Sequence, residues 1–215
     1  IDGSIDLSAA QKHRANLATD SDANFDYEIE IDAREIAPQI SWGTTPEESF
    51  SLTEEIPVTA ASKALEYMGL AAGQSLADLS IEGAFIGSCT NGRLSDLKAA
   101  AEILRGRRVP KHVRAVCVPG SKAVRREAET LGIDKICKEA GLEWGEPGCA
   151  MCFYAGGESF APGARVVSST NRNFEGRQGP GVRTRITSPA VVAACAVAGK
   201  ICAPADLHVL EEVVV

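Results

Sequence analysis

A chain of 215 residues with 45% hydrophobic and 24% charged residues has the make-up of a soluble globular protein with one substantial core. A net charge of −7 argues against nucleic acid or anionic lipid as partner, and no run reaches the ~18 apolar residues of a membrane span. Seven cysteines, an odd number, exclude a complete set of internal disulfides, and the low aromatic content favours helices packed closely on a sheet over a β-sandwich.

Residues 1–24 are polar with weak periodicity and read as a linking or partly ordered segment ahead of one domain, 25–215. The chain opens without Met, as a fragment or processed piece would, and Ile1–Ala10 has no basic leader, which places the protein in the cytosol. Phe25, Tyr27, Ile29 and Ile31 alternate with acidic residues, the pattern of a half-buried strand. Loop follows, broken by Pro38 and Pro46 around a lone Trp42. Thr59 is placed to cap a helix running to Met68 and closed by Gly69.

From Ile81 strands and helices alternate. Ile81–Gly87 is a buried strand entering the turn SCTNG, and Ser95 caps a helix with Leu97, Ala100, Ala101 and Leu104 on one face. Val113–Gly120 is the next strand. Ser121 opens a helix closed by Gly132, and a short helix IDKICKEAG follows. LEWG enters a loop with two thiols, Ala164–Thr170 enters a loop with two arginines, and VRTRITS leads to Ser188 and Pro189, which start an Ala-rich helix before the tail ICAPADLHVLEEVVV. Alternation with short turns means βαβ units and a mostly parallel sheet, whose ligands sit beyond the carboxyl ends of the strands. Cys89, the pair Cys149–Cys152 and the loop Asn171–Arg177 all fall just there.

Cys149 and Cys152 form a CxxC wrapped by Pro147, Gly148, Gly156 and Gly157, so it lies in loop rather than opening a helix as a redox pair would. Together with Cys89 it offers three soft ligands. That number suits an iron–sulfur cubane with one iron left open to substrate, while zinc with a fourth ligand from Cys117 or Cys137 is the alternative. Cys117, Cys137, Cys195 and Cys202 otherwise read as small packing residues. Asn171, Arg172 and Arg177 can fold around Gly176 and aim both guanidiniums at carboxylates, each through two parallel hydrogen bonds. Arg165, Arg183 and Arg185 read as solvated surface cations. His13, His112 and His208 lie outside every motif, so the chain has an electrophile site and anion clamps but no evident general base.

GSCTNGR, GCAMC and SSTNRNFEGRQG, in that order and spacing, resemble the cluster-binding part of the aconitase family, and WGTTPEE and GPGVRTRITSPAVVAACAVAGKI look closest to its isopropylmalate branch. The resemblance covers about Asp26 to Leu207. It implies a three-layer α/β/α fold with a mostly parallel sheet, like the third domain of that family. It also implies a 4Fe–4S cluster on Cys89, Cys149 and Cys152, and a dicarboxylate substrate lined by Asn171, Arg172 and Arg177. The implied reaction is dehydration and rehydration that isomerises 2-isopropylmalate to 3-isopropylmalate in leucine biosynthesis; homoaconitate or citramalate hydration is the neighbouring possibility, and a non-catalytic metal-binding interaction domain the bland one. By the same resemblance two further α/β domains, with histidine and acidic groups of the site, belong ahead of this region, and a serine base sits on a swivelling domain that is a separate small subunit, so no catalytic base is expected on this chain and the chain alone is expected to be inactive. Gly92 stands where the family commonly has serine, with no expected effect on ligation.

Overall fold

The computed structural model describes residues 6–77 and 79–207; His208 and the rest of the tail lie outside them. The chain divides into two units, 1–36 and 37–215.

In the first unit a helix, α1 (Leu7–Ala15), starts where the Asp6 carboxylate accepts hydrogen bonds from the Ser8 and Ala9 amides. It buries no residue, so selection for an apolar stripe is absent and its sequence shows little period. The strand expected over Phe25–Ile31 does not form, and Phe25, Tyr27, Ile29 and Ile31 stand exposed. Alternation supplies a face, but a strand also needs a neighbour to accept its backbone hydrogen bonds, and among the described residues none pairs with it.

The second unit opens with a small antiparallel hairpin, β1 (Gln39–Ser41) and β2 (Ser49–Ser51), in a stretch expected to be loop. Pro46 lies in the turn between them, and Ile40, Trp42 and Phe50 are buried. Helix α2 (Ser62–Met68) begins after Ala61 rather than at Thr59, and ends as expected at a left-handed Gly69. The regular part follows as β3 (Gly83–Gly87), a single turn α3 (Ser88–Asn91), α4 (Leu94–Leu104), β4 (Arg114–Val118), α5 (Lys122–Thr130), α6 (Ile133–Ala140), β5 (Glu143–Trp144), β6 (Arg165–Ser168), β7 (Arg183–Ile186) and α7 (Pro189–Ala198). Helix α4 starts at Arg93, whose amide is taken by the Asp96 carboxylate, and not at Ser95. Ser121 and Ser188 do cap α5 and α7.

Five strands form one parallel sheet in the order β5-β4-β3-β6-β7, flanked by helices, which is the α/β class expected. Period-two alternation divides its side chains between two cores. Ala84, Ile86, Ala115, Cys117 and Val167 join α4, α6 and α7 in the larger one. Helix α7 is Ala-rich and buried nearly all round, so its backbone approaches α4 and β3 closely. Phe85, Val116, Val118 and Val166 face the other way and pack against Met151, Cys152 and Phe160. The segment that carries the thiols is therefore itself part of a core. Burial of Phe160 alone supplies about 1.5–3 kcal/mol toward holding it.

Candidate metal centre

Three loops leave the carboxyl ends of β5, β3 and β6, and they bring the expected residues to one edge of the sheet. The first follows β3. Gly87 has φ +99°, and a Cβ there would lie 2.1 Å from the Val118 carbonyl oxygen of β4, so only glycine fits. Ser88 also takes a positive φ, 70°, a strained conformation for a serine. The turn presents Cys89 to solvent and is clipped down by Ser169, whose hydroxyl accepts from the Gly87 amide at 2.8 Å and whose carbonyl accepts from the Asn91 side chain. At Gly92 a Cβ would lie 2.3 Å from the Ser88 carbonyl oxygen and 2.6 Å from the Gly120 amide nitrogen. The glycine thus lets this turn close against the β4–α5 connection.

The second loop holds Cys149 and Cys152 at either end of one 3-10 turn, Ala150–Cys152, with Ala150 also at positive φ. Cys149 is exposed and Cys152 is buried in the smaller core. The Sγ atoms of Cys89 and Cys149 lie 3.7 Å apart, and all three sulfurs fall within 4.8 Å of one another. Cys117 and Cys137 belong to the core on the opposite face of the sheet, so neither completes the triad.

The donor set suits a soft, positively charged centre. The Thr90 hydroxyl, foremost, draws the Cys89 thiol below its ordinary value. Cys152 moves the other way, to about 11, because of burial first and then its neighbours Cys149 and Cys89. Three thiolates packed this closely repel one another unless a cation sits among them, which is what a metal cluster supplies. Ser88 Oγ is buried without a hydrogen-bond partner, a donor available to an acceptor at the centre.

The third loop follows β6. The Arg177 guanidinium carbon lies over the rings of Phe153 and Phe174, 5.4 and 5.2 Å from their centres. Phe153 directly follows Cys152, so this arginine is fixed beside the thiol turn. Asn171 and Arg172 are exposed on the same loop. Buried Asn173 ties the loop to the hairpin, donating to Ser41 Oγ at 3.1 Å and to the Gly43 carbonyl at 2.8 Å. From α2 the Tyr67 hydroxyl donates to the Val182 carbonyl and accepts from the Gly176 amide.

These supports were not read from the sequence. Asn173 and Gln178 stand inside NRNFEGRQG, where a buried amide between two arginines was the available signal. Ser41, Tyr67 and Ser169 carry no pattern of their own. Arg185 corrects an expectation: it is fully buried, not solvated, and burial pulls its guanidinium down to about 9, with Arg165 and Arg183 adding to the effect. Arg185 pairs in register with Val167 and so lies on the face of the sheet that carries the larger core; the hairpin meets β7 through Ile40 and Thr187 and through the Ile186 amide on Ser41 Oγ, so β7 is not the open edge that its arginines suggested. Arg183 donates to the Tyr67 carbonyl and Arg165 pairs with Glu82. His13 and His112 are exposed.

Comparison with known proteins agrees with this geometry. The profile of the "Aconitase family (aconitate hydratase)" matches residues 4–199. The "3-isopropylmalate dehydratase large subunit" of Cupriavidus necator is 52% identical over 202 residues, an alignment covering 89% of this chain and 76% of that protein. The match takes in the thiol and arginine loops together with the strands that carry them, and the chain belongs to the aconitase family.

Proposed function

We propose that this chain is the cluster-bearing part of a hydro-lyase that isomerises 2-isopropylmalate to 3-isopropylmalate in leucine biosynthesis, the large subunit of a two-subunit cytoplasmic enzyme. The observation that carries the reading is the thiol triad, sulfurs within 4.8 Å, with Arg177 held over two rings at its side. Cys89, Cys149 and Cys152 would hold a 4Fe–4S cluster, which when bound supplies a Lewis acid for a departing hydroxyl. Arg172 and Arg177 grip the substrate carboxylates through paired charge-assisted hydrogen bonds, with Asn171 donating from the same loop. Fixing the carboxylates sets which carbon faces the leaving group and which faces the base. Stacking keeps the Arg177 fork in one orientation before substrate arrives, so less entropy is lost on binding. Among the described residues no His, Asp or Glu joins the three thiols as a possible metal-site group. The base that takes the carbon-bound proton is assigned to the small subunit, in line with the relative's designation as a large subunit.

Anaerobic reconstitution with iron and sulfide, followed by metal analysis and EPR, tests this. A brown protein with four irons per chain is expected, lost in Cys89→Ser, Cys149→Ser and Cys152→Ser and kept in Cys117→Ser and Cys195→Ser. This chain alone, even with the cluster bound, is not expected to turn over 2-isopropylmalate. Stoichiometric zinc and no chromophore would overturn the reading.

A further inference from the structure

We infer that Gln178 is a positioning residue for the thiol triad, locking the turn between Cys149 and Cys152 to the arginine loop. The inference rests on the thiols being the metal site. Gln178 is fully buried, yet both ends of its amide are satisfied. Nε2 donates to the Met151 carbonyl at 3.1 Å, in the middle of the CxxC turn, and Oε1 accepts from the Thr184 hydroxyl of β7 at 3.0 Å. The amide orientation follows from its partners, since a carbonyl can only accept.

The backbone around Gln178 grips the same segment twice more. The Arg177 carbonyl accepts from the Tyr154 amide at 2.8 Å and the Gln178 carbonyl accepts from the Phe160 amide. Residues 177 and 178 therefore hold the thiol segment at Met151, Tyr154 and Phe160, while the Arg177 guanidinium stacks on Phe153. Sheet, ligand turn and carboxylate clamp are tied through one side chain. The chemistry is specific to glutamine at this place. Asn is one methylene too short to span β7 and the turn, and ionised Glu sets lone pairs against the Met151 carbonyl. Met keeps the volume and removes both hydrogen bonds.

Groups that orient metal ligands from outside the coordination shell characteristically cost about 10- to 100-fold in metal affinity when removed. The test is titration of the metal-free full chain with Co(II), read by the thiolate-to-cobalt charge-transfer band. It is run at a temperature where circular dichroism shows every variant folded. Gln178→Met is expected to weaken Co(II) binding about tenfold and to shift the band. Thr184→Val, which removes only the outer partner, should weaken it about threefold, within the range of one net hydrogen bond, and Thr184→Ser should restore wild-type binding. Val192→Ala, a core change in α7, should lower stability and leave the Co(II) curve unchanged. Wild-type affinity and spectrum in Gln178→Met overturn the inference. If that variant does not fold, equal affinities in Thr184→Val and Thr184→Ser overturn it instead. A wild-type chain that binds Co(II) but takes up no iron and sulfide counts against the proposed function alone, and the Co(II) comparison still decides the role of Gln178.

Discussion

Replacing Arg185 with Met should make the protein more stable. The Arg185 side chain is fully buried, and Nε, Nη1 and Nη2 all lack hydrogen-bond partners. Its electrostatic neighbours are mostly of the same sign: Arg165 and Arg183 oppose it and Glu82 alone favours it. Glu82 is already engaged, accepting from the Arg165 amide at 2.7 Å. With its pKa brought down to about 9, the guanidinium still carries charge at neutral pH. An unpaired buried charge costs several kcal/mol, and exchanging buried ionic groups for apolar ones of similar volume gains about 1–4 kcal/mol. For a chain of this size that corresponds to a rise in Tm of roughly 2–16 °C. The pH dependence has a definite sign. The folded pKa lies below the ordinary arginine value, so from about pH 9 upward the unfolded chain binds more protons than the folded one, and wild-type stability gains from Arg185 as pH rises through that range. The gain is at most ~1.4 kcal/mol per pH unit, and Arg185→Met lacks it. Thermal melts of both proteins at pH 7, and at steps from pH 8 to 10, measure the two effects. A lower Tm for Arg185→Met at pH 7, or a difference between the proteins that does not shrink as pH rises, would refute the reasoning.

In the fully assembled enzyme, Arg172→Lys and Arg177→Lys keep the charge but lose the planar fork. Each should lower kcat/KM by roughly 10- to 150-fold, the equivalent of ~1.5–3 kcal/mol for hydrogen bonds to charged groups; a loss below threefold at both would place the substrate elsewhere. Phe153→Ala removes one of the two rings against Arg177 and should cost ~0.5–1 kcal/mol of substrate binding, seen as a raised KM. Gly87→Ala sets a methyl against the Val118 carbonyl at a positive φ, so little folded protein is expected, and a wild-type melt would refute the contact. Arg114 holds Glu143 below its ordinary value of 4.5, chiefly through its hydrogen bonds. That pair contributes stability present above about pH 4.5 and lost as pH falls below it, and Arg114→Met should flatten the acid limb of a Tm-versus-pH curve.

The sheet and its order of elements were legible because βαβ units carry strong local signals: buried strand runs, the serines before α5 and α7, glycines after α2 and α6. The clustering of the thiols was legible because soft ligands placed after strand ends have few other uses. What escaped was whatever depends on a partner distant in sequence. Phe25–Ile31 has the pattern of a strand, yet pairing decides whether one forms. Arg185 reads as surface because strand alternation shows two faces and not that both will be covered, and in the fold Arg185 shares the face of Val167 and the larger core. Asn173, Gln178 and Tyr67 are polar residues whose roles are set by carbonyls elsewhere in the chain, and no local period marks them.

The second face of the sheet ties ligation to folding. Met151, Cys152 and Phe160 supply its core, so Cys152 is a packing residue and a candidate ligand at once. Without a cation its burial and its two thiol neighbours favour the neutral form, in which it packs as a small hydrophobe. A metal centre reverses that preference, because the charge that burial penalises is then compensated at the sulfur. Cys89 and Cys149 are exposed, their sulfurs 3.7 Å apart. The residues that fix Cys152, Gln178 and the backbone of Arg177, are the same residues that place the arginine clamp. On the proposed function, the metal centre and the carboxylate site are therefore built on shared supports.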